Sequence, residues 1–223
     1  MSLRIFETDA AARAPKRLSD SFTPDFRLKG GLLVNGRPQA LSTWAFTTDE
    51  AQTASMLSQS FGGEVEILDV EKGDDHQIVT EAASIDILLE GPKALSAVMV
   101  LYGMDRKPIH RCDGMYSLLE DDKGEPCGCP AEFKARKNLA EKGRGPKPEI
   151  KLTFQLADNP ELGIGMYRTG SWTLVRDLPE IEEELGDREG NGPIRARLKL
   201  VHVEFTTNAG QNVSYHRPVV EFI

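Results

Sequence analysis

The sequence lacks several features that would assign it quickly to a functional class. Cysteine is rare, with three residues, and aromatic side chains make up only 7% of the 223 residues. The longest apolar run covers residues 97–102, far short of the about 20 residues that a membrane-spanning helix needs. Residues 1–7 contain no apolar signal core and no small-residue cleavage site. We therefore expect a cytoplasmic protein with no membrane contact.

Positively charged residues are also fewer than negatively charged ones. The chain has 27 Lys and Arg against 35 Asp and Glu, a net charge of −8 at pH 7. Because contacts to nucleic-acid phosphates depend on Lys and Arg, an acidic chain is a poor general binder of DNA. Any action on DNA requires a local basic patch or a DNA-binding partner.

Sequence motifs of the common enzyme classes are missing as well. There is no Walker loop, no Gly-x-Gly-x-x-Gly, no His-Glu-x-x-His and no Gly-x-Ser-x-Gly. The residues alone therefore favour a non-catalytic interaction domain without a small-molecule substrate.

What is present is a cluster of metal-binding residue types. All three cysteines lie in one window, as His110-x-Cys112 followed by Cys127-x-Cys129. An odd, clustered set points away from structural disulfides and toward a metal or reactive thiols. Three thiolates and one imidazole suit tetrahedral zinc, and four protein ligands leave no open position for catalysis. The prediction is a structural zinc site at these four residues.

The cluster also allows two interpretations without zinc. Both pairs are one residue tighter than the usual Cys-x2-Cys spacing, so three ordinary thiols beside a surface histidine, or a redox pair at Cys127 and Cys129, are alternatives. His110 has alternatives as the fourth ligand elsewhere in the chain. The residues that could replace it are His76, His202 and His216.

A second segment stands out by its charge. Residues 131–151 carry seven Lys or Arg and three Glu, a local charge of +4. Such a run of charge is typical of a solvated helix face. The alternative is a contact with phosphates or with an acidic partner. The candidate partner-binding residues are Lys134, Arg136, Lys137, Lys142, Arg144 and Lys147.

Strand patterns outnumber helix patterns and mostly occur as hairpins. This predicts an α+β fold, a mainly antiparallel sheet with a few short helices. We expect an N-terminal arm over residues 1–30 and a single domain over 31–223, in which 108–148 form a zinc-pinned, basic insertion. We also expect a strand over 166–175 and then a short helix capped by Asp177. The apolar phase slips at Leu200 and Val201, which indicates a bulge or a strand buried on both faces.

Seven short strings along the chain carry a resemblance to a known family. They are residues 1–7, 35–42, 61–63, 110–114, 126–130, 143–148 and 170–174. In these strings, and in their order, the chain resembles the recombination directionality factors that partner large serine integrases in actinobacterial phages and prophages. The cysteine segment is the most distinctive part of the likeness.

The resemblance implies a regulator without catalytic activity. Such a factor binds the integrase near the coiled coil that controls synapsis, reaches DNA only through it, and switches recombination from integration to prophage excision. The alternatives are a DNA-binding accessory protein acting through residues 131–151, and a zinc-stabilised interaction domain with another partner.

Overall fold

The computed structural model describes residues 23–34, 36–207 and 210–223. Their strands are β1 (Phe26–Val34), β2 (Arg37–Thr48), β3 (Val65–Ile67), β4 (His76–Val79), β5 (Ser84–Leu89), β6 (Leu95–Tyr102), β7 (Pro108–Cys112), β8 (Lys147–Leu156), β9 (Gly165–Thr169), β10 (Ile194–Thr206) and β11 (Asn212–Phe222). Their α-helices are α1 (Ala51–Phe61), α2 (Phe133–Glu141) and α3 (Trp172–Asp187). Two short 3-10 helices cover Gly91–Ala94 and Pro160–Leu162.

The start of β1 corrects the predicted N-terminal boundary. Residues 26–30, which we assigned to the arm, belong to this strand. Phe26 and Leu28 are both buried, so their apolar side chains draw this stretch into the core. Residues 1–22 of the predicted arm lie outside the described residues.

The described strands form one mixed sheet. Its main order is β11-β10-β5-β8-β9-β1-β2-β4-β3, while β6 pairs with β8 and β7 pairs with β6. The described pairs are antiparallel except for β1 and β9, which run parallel. The predicted fold class, α+β with a mainly antiparallel sheet and few helices, is confirmed.

The core follows from strict alternation along two neighbouring strands. In β5 and in the second half of β8, every second side chain is apolar and buried, as expected for strands with one face in the core. Trp44 is fully buried beside them, and its Nε1–H donates a hydrogen bond to the carbonyl of Leu198, 3.3 Å away. The alternating buried residues are Ile85, Ile87, Leu89, Ile150, Leu152, Phe154 and Leu156.

A long segment, of which only β7 belongs to the sheet, separates β6 from its neighbour β8. β6 and β8 are antiparallel neighbours, and their pairing ends at Val100 opposite Lys147. The chain departs after Tyr102 and comes back at Lys147, so residues 103–146 form an excursion from a single strand pair. Within it, β7 adds to the other side of β6. We call residues 103–146 the excursion.

The helix predicted in the C-terminal third begins earlier than expected. The strand β9 ends at Thr169, and Trp172, predicted to lie in a strand, begins α3. The hydroxyl of Ser171, not the side chain of Asp177, caps the helix by accepting a hydrogen bond from the amide of Leu174. The β-branched and aromatic residues here resemble a strand, but the cap at Ser171 fixes the helix start. Pro179 lies inside the helix.

The predicted irregularity at Leu200 and Val201 is absent from the pairing. β10 and β11 keep one continuous antiparallel register from Ala196 opposite Phe222 to Thr206 opposite Asn212. Leu200 is buried, whereas Val201 is 37% exposed. The strand is therefore neither bulged nor buried on both faces at this point. β11 forms the edge of the sheet, where the missing amide hydrogen of a proline is tolerated.

Candidate metal centre

Two ligand pairs meet at the base of the excursion. His110 and Cys112 are two residues apart on β7, and alternation along a strand places both side chains on the same face. The loop then turns back, and the amide of Cys127 donates a hydrogen bond to the carbonyl of Met115 at 2.8 Å. Gly128 has φ +69°, a value that glycine adopts readily, and it lets the chain turn sharply between Cys127 and Cys129.

The four ligand atoms form a cluster of the size that a zinc ion needs. All lie within 4.8 Å of one another. The Sγ atoms of Cys112 and Cys129 are 4.0 Å apart, and Nε2 of His110 lies 3.4 Å from Sγ of Cys129. Tetrahedral zinc with ordinary bond lengths sets its ligands about 3.8 Å apart for two sulfurs and about 3.5 Å apart for sulfur and nitrogen. The donor set and its spacing fit zinc.

The pKa values of the three thiols shift in different directions. Burial raises the pKa of Cys112 to about 12. Burial, with the neighbouring Cys127, also raises the pKa of Cys129. For Cys127, burial acts in the same direction, but hydrogen bonds involving the Cys129 backbone and the other two thiols outweigh it and lower the pKa. Because a metal ion binds cysteine as the thiolate, binding to all three sulfurs displaces the thiol protons that burial otherwise retains.

Arg136 links the two ends of the segment that carries the four ligands, residues 110–130, which we call the cluster loop. Its Nε donates to the carbonyl of Pro130, which follows the second cysteine pair. Its Nη2 donates to the carbonyl of Gly114, which follows the first pair, at 2.6 Å. The side chain is partly buried. Arg136, which we selected as a partner-binding residue, therefore stabilises the loop that holds the ligands.

The other residues of the predicted partner surface lie at the surface. Lys137 is partly exposed and forms an ion pair with Glu141 at 3.7 Å. The four that are exposed are Lys134, Lys142, Arg144 and Lys147.

A pocket of about 530 Å³ lies next to the loop between α2 and β8, and Gly143, Gly145 and Lys147 contribute to its wall. The most buried charged residue of this wall is Glu149, which the sequence pattern did not indicate. Glu149 is 9% exposed and accepts hydrogen bonds from Tyr102, at 2.9 Å, and from Arg168. Burial acts to raise the pKa of Glu149, but the Tyr102 hydrogen bond and the charge of Arg168 outweigh it and lower the pKa. Glu149 is thus part of the packed sheet.

The three other histidines do not join the cluster. His76 lies on β4 with its Nδ1 2.7 Å from a carboxylate oxygen of Asp75. His202 and His216 face each other across β10 and β11, with ring centroids 5.0 Å apart. His110 is the histidine that the fold brings to the cysteines.

Comparison with known proteins assigns the chain to a family. Among the described residues, no helix is both long enough and apolar enough to cross a membrane. A search of solved structures finds no significant match. A family model described as Gp3-like, recombination directionality factor-like, matches residues 11–222. That match spans nearly the whole sequence, including the cysteine cluster and the basic segment, and the chain therefore belongs to the Gp3-like, recombination directionality factor-like family.

Proposed function

We propose that this protein is a non-catalytic recombination directionality factor that binds a large serine integrase and switches it from integration to prophage excision. The observation that carries the proposal is the family match over residues 11–222. The net charge of −8 supports a protein partner over direct contact with DNA. The protein then reaches DNA through the integrase, in the cytoplasm.

Such a switch requires differential binding. An integrase that exchanges its preferred reaction must have two arrangements, and the factor must bind one of them more tightly. Reversing a preference from 1:99 to 99:1 takes about 5.5 kcal/mol of differential binding free energy. Several separate contacts on the factor are a natural source of a difference of this size.

We further propose that zinc at His110, Cys112, Cys127 and Cys129 has a structural role. Four protein ligands fill the coordination sphere. Zn²⁺ with three thiolates leaves a net charge of −1, and the guanidinium of Arg136 lies against the same loop. The excursion, which includes most of the predicted insertion over 108–148, then folds as a zinc-pinned part of a single domain that begins at β1.

The exposed cations of the excursion and of its return to β8 are the proposed contact surface. Lys134, Lys142, Arg144 and Lys147 project from the helix and loop that follow the cluster. We expect reversal of these four charges to weaken integrase binding. Lys137 is left unchanged because it pairs with Glu141, and Arg136 because it holds the loop.

The deciding experiment is recombination in vitro with the cognate integrase. One plasmid carries the phage and bacterial attachment sites, and another carries the two hybrid sites. The protein is expected to start hybrid-site recombination and to suppress integration. No response of either reaction, together with no complex in size-exclusion chromatography, contradicts the proposal. DNA affinity without integrase that falls steeply with salt supports the DNA-binding alternative through residues 131–151.

A further inference from the structure

The pocket beside the loop between α2 and β8 has a wall built from one face of three neighbouring strands. β6 and β8 place Val100 opposite Lys147, and β8 and β9 place Lys151 opposite Arg168. Opposite residues share a face of a sheet, as do residues two apart on one strand. Ile150, on the other face of β8, is buried in the core, so the pocket lies on the outer face. The side chains of this wall are Val100, Tyr102, Lys147, Glu149 and Arg168.

The loop that completes the pocket is fixed in place. The amides of Arg144 and Gly145 both donate hydrogen bonds to the carbonyl of Leu139, at 2.9 and 3.1 Å. Gly145 packs so closely on α2 that a Cβ atom there would lie 2.9 Å from the Cβ of Leu139. The volume of about 530 Å³ falls within the range of about 300–1,000 Å³ that is usual for binding pockets. The pocket is therefore preformed and large enough for several side chains of a partner.

Arg168 is held in position by the wall itself. Its Nη2 donates hydrogen bonds to a carboxylate oxygen of Glu149 and, at 3.4 Å, to the hydroxyl of Tyr102. The other carboxylate oxygen of Glu149 lies 3.2 Å from Nζ of Lys151. The Arg168 side chain is still 53% exposed. A guanidinium has five N–H donors, and both contacts to described residues use Nη2, so Nε and Nη1 remain for another acceptor.

Two further cations at the pocket have no partner among the described residues. Lys147 lies in the wall, and Arg144 lies between two glycines of the wall. Both are exposed, and neither side chain forms a hydrogen bond or an ion pair with a described residue. Glu149, the one carboxylate among the described wall residues, is already paired with Arg168 and Lys151. In a chain of net charge −8, this excess of positive charge favours an anionic occupant.

A carboxylate of a protein fits this pocket better than the phosphates of DNA do. Duplex DNA presents its phosphates along an extended surface, and its binding depends on many Lys and Arg side chains. This site is concave, and its wall also contains the apolar residues Val100, Leu101 and Pro148. These can contact the apolar stem of an acidic side chain and the residues beside it. Tyrosine and arginine, which face the pocket together, are also the residue types that contribute most to the affinity of protein interfaces.

We propose that this pocket binds an acidic segment of the serine integrase, with a carboxylate held by Arg168 and Lys147. The inference rests on the proposed function and deepens it, because it adds a preformed pocket to the exposed cations. Tyr102 and Glu149 are positioning residues that orient the guanidinium of Arg168. An arginine oriented in advance loses little side-chain entropy when the partner binds.

The first test compares two arginines of the outer face. Arg195 is also 53% exposed and also pairs with a carboxylate, that of Asp86, but it lies outside the pocket. Titration of each purified protein with the cognate integrase is expected to show a Kd raised at least about tenfold for Arg168→Gln and less than about twofold for Arg195→Gln. Equal affinities, or equal losses in both variants, overturn the inference.

A double-mutant cycle tests whether Arg168 and Lys147 hold the same group. The effects of Lys147→Gln and Arg168→Gln on Kd are expected to combine to at least about threefold less than their product, because either change removes part of one contact. Lys134→Gln, on α2, should combine with Arg168→Gln to within about twofold of the product. A Lys147 pair that multiplies as the Lys134 pair does contradicts the shared carboxylate.

A chemical crosslink identifies the occupant without any substitution. Carbodiimide joins an amine to a carboxylate in contact with it, so an amide between Lys147 and an Asp or Glu of the integrase is expected. Lys93, an exposed lysine outside the pocket, is the control and should form none. Absence of the Lys147 link, or equal links from both lysines, contradicts the inference even if Arg168→Gln fails to fold.

The remaining outcomes separate the causes of failure. If the wild-type protein does not bind the integrase, the proposed function fails; if it binds and Arg168→Gln binds equally well, only the inference fails. If Arg168→Gln weakens binding to DNA in the absence of integrase, the occupant is a phosphate and the inference is wrong. It is also wrong if the wild-type protein sediments as a dimer that Arg168→Gln dissociates, since the occupant is then a second copy.

Discussion

Removal of zinc is expected to unfold the excursion, including β7, while leaving the other strands of the sheet intact. The reason is that residues 103–146 contain almost no core of their own, since Cys112 and Ala140 are the buried apolar side chains among them. Burial of two such small groups contributes about 1–2 kcal/mol. A structural zinc ion supplies about 10–16 kcal/mol in small zinc domains, several times the contribution of these two side chains.

The assay is hydrogen exchange of the protein before and after chelation, with zinc content measured in parallel. Amides between Cys112 and Cys129 are expected to exchange at least about a hundredfold faster without zinc, a loss of about 3 kcal/mol of local stability. Amides of β5 and the second half of β8 should keep their protection. His110→Asn should have the same effect as chelation, and His202→Asn, outside the cluster, should have none. Unchanged exchange in the chelated protein would refute the reasoning, and full zinc content in His110→Asn would remove that ligand.

Three further predictions concern single side chains. Arg136→Ala should speed hydrogen exchange of the amides in the cluster loop by the equivalent of about 1.5–3 kcal/mol of local stability, because it removes charged hydrogen bonds to two carbonyls. Arg144→Ala, the exposed control, should leave this exchange unchanged. Equal effects of the two variants would contradict the role given to Arg136. Hydrogen bonds to two arginines, Arg197 above all, lower the pKa of Asp86, so its contribution to stability is present above the pKa of the unfolded chain and lost as pH falls through the folded value. Asp86→Asn should therefore flatten the acid limb of stability against pH in urea titrations, unlike Asp187→Asn on the exposed face of α3, and parallel curves would rule this out. Pro179→Ala should raise the melting temperature and increase the free energy of unfolding by up to about 3 kcal/mol, because proline lacks the amide hydrogen that bonds within an inner helical turn. A lower melting temperature would show that the proline shapes α3 to its packing.

Local patterns were sufficient to predict much of this fold. The alternation in β5 and β8 reports directly which face is buried, because a strand with one face in the core has a period of two. The grouping of His110 with the cysteines also follows from local spacing, since residues two apart on a strand share a face. The predicted α+β class needed no long-range information, whereas the choice of His110 over the other three histidines is made by the fold.

The errors came where a distant partner decides the outcome. Trp172, the first residue of α3, packs against Phe133, whose ring lies 5.4 Å away in α2, and this contact adds to the local cap at Ser171. The role of Arg136 depends on two carbonyls brought together by the loop. The phase slip at Leu200 is visible in the sequence, but both predictions drawn from it, a bulge and a strand buried on both faces, are wrong, because the register with β11 continues without a shift. Sequence periodicity carries none of these long-range contacts.

The direct pairing of β6 with β8 makes the excursion separable from the rest of the chain. Val100 and Lys147 are already opposite each other in the sheet, so a two-residue turn would close the same strand pair. Insertions and deletions between these two positions then leave the register of the sheet unchanged, and the metal-binding segment can vary in length or be exchanged without a new core. A chain with residues 101–146 replaced by Asn-Gly is expected to keep the sheet and to lose the zinc. The molecule thus consists of a sheet scaffold and a metal-binding module, connected at Val100 and Lys147 and in contact with α3 through Phe133 and Trp172.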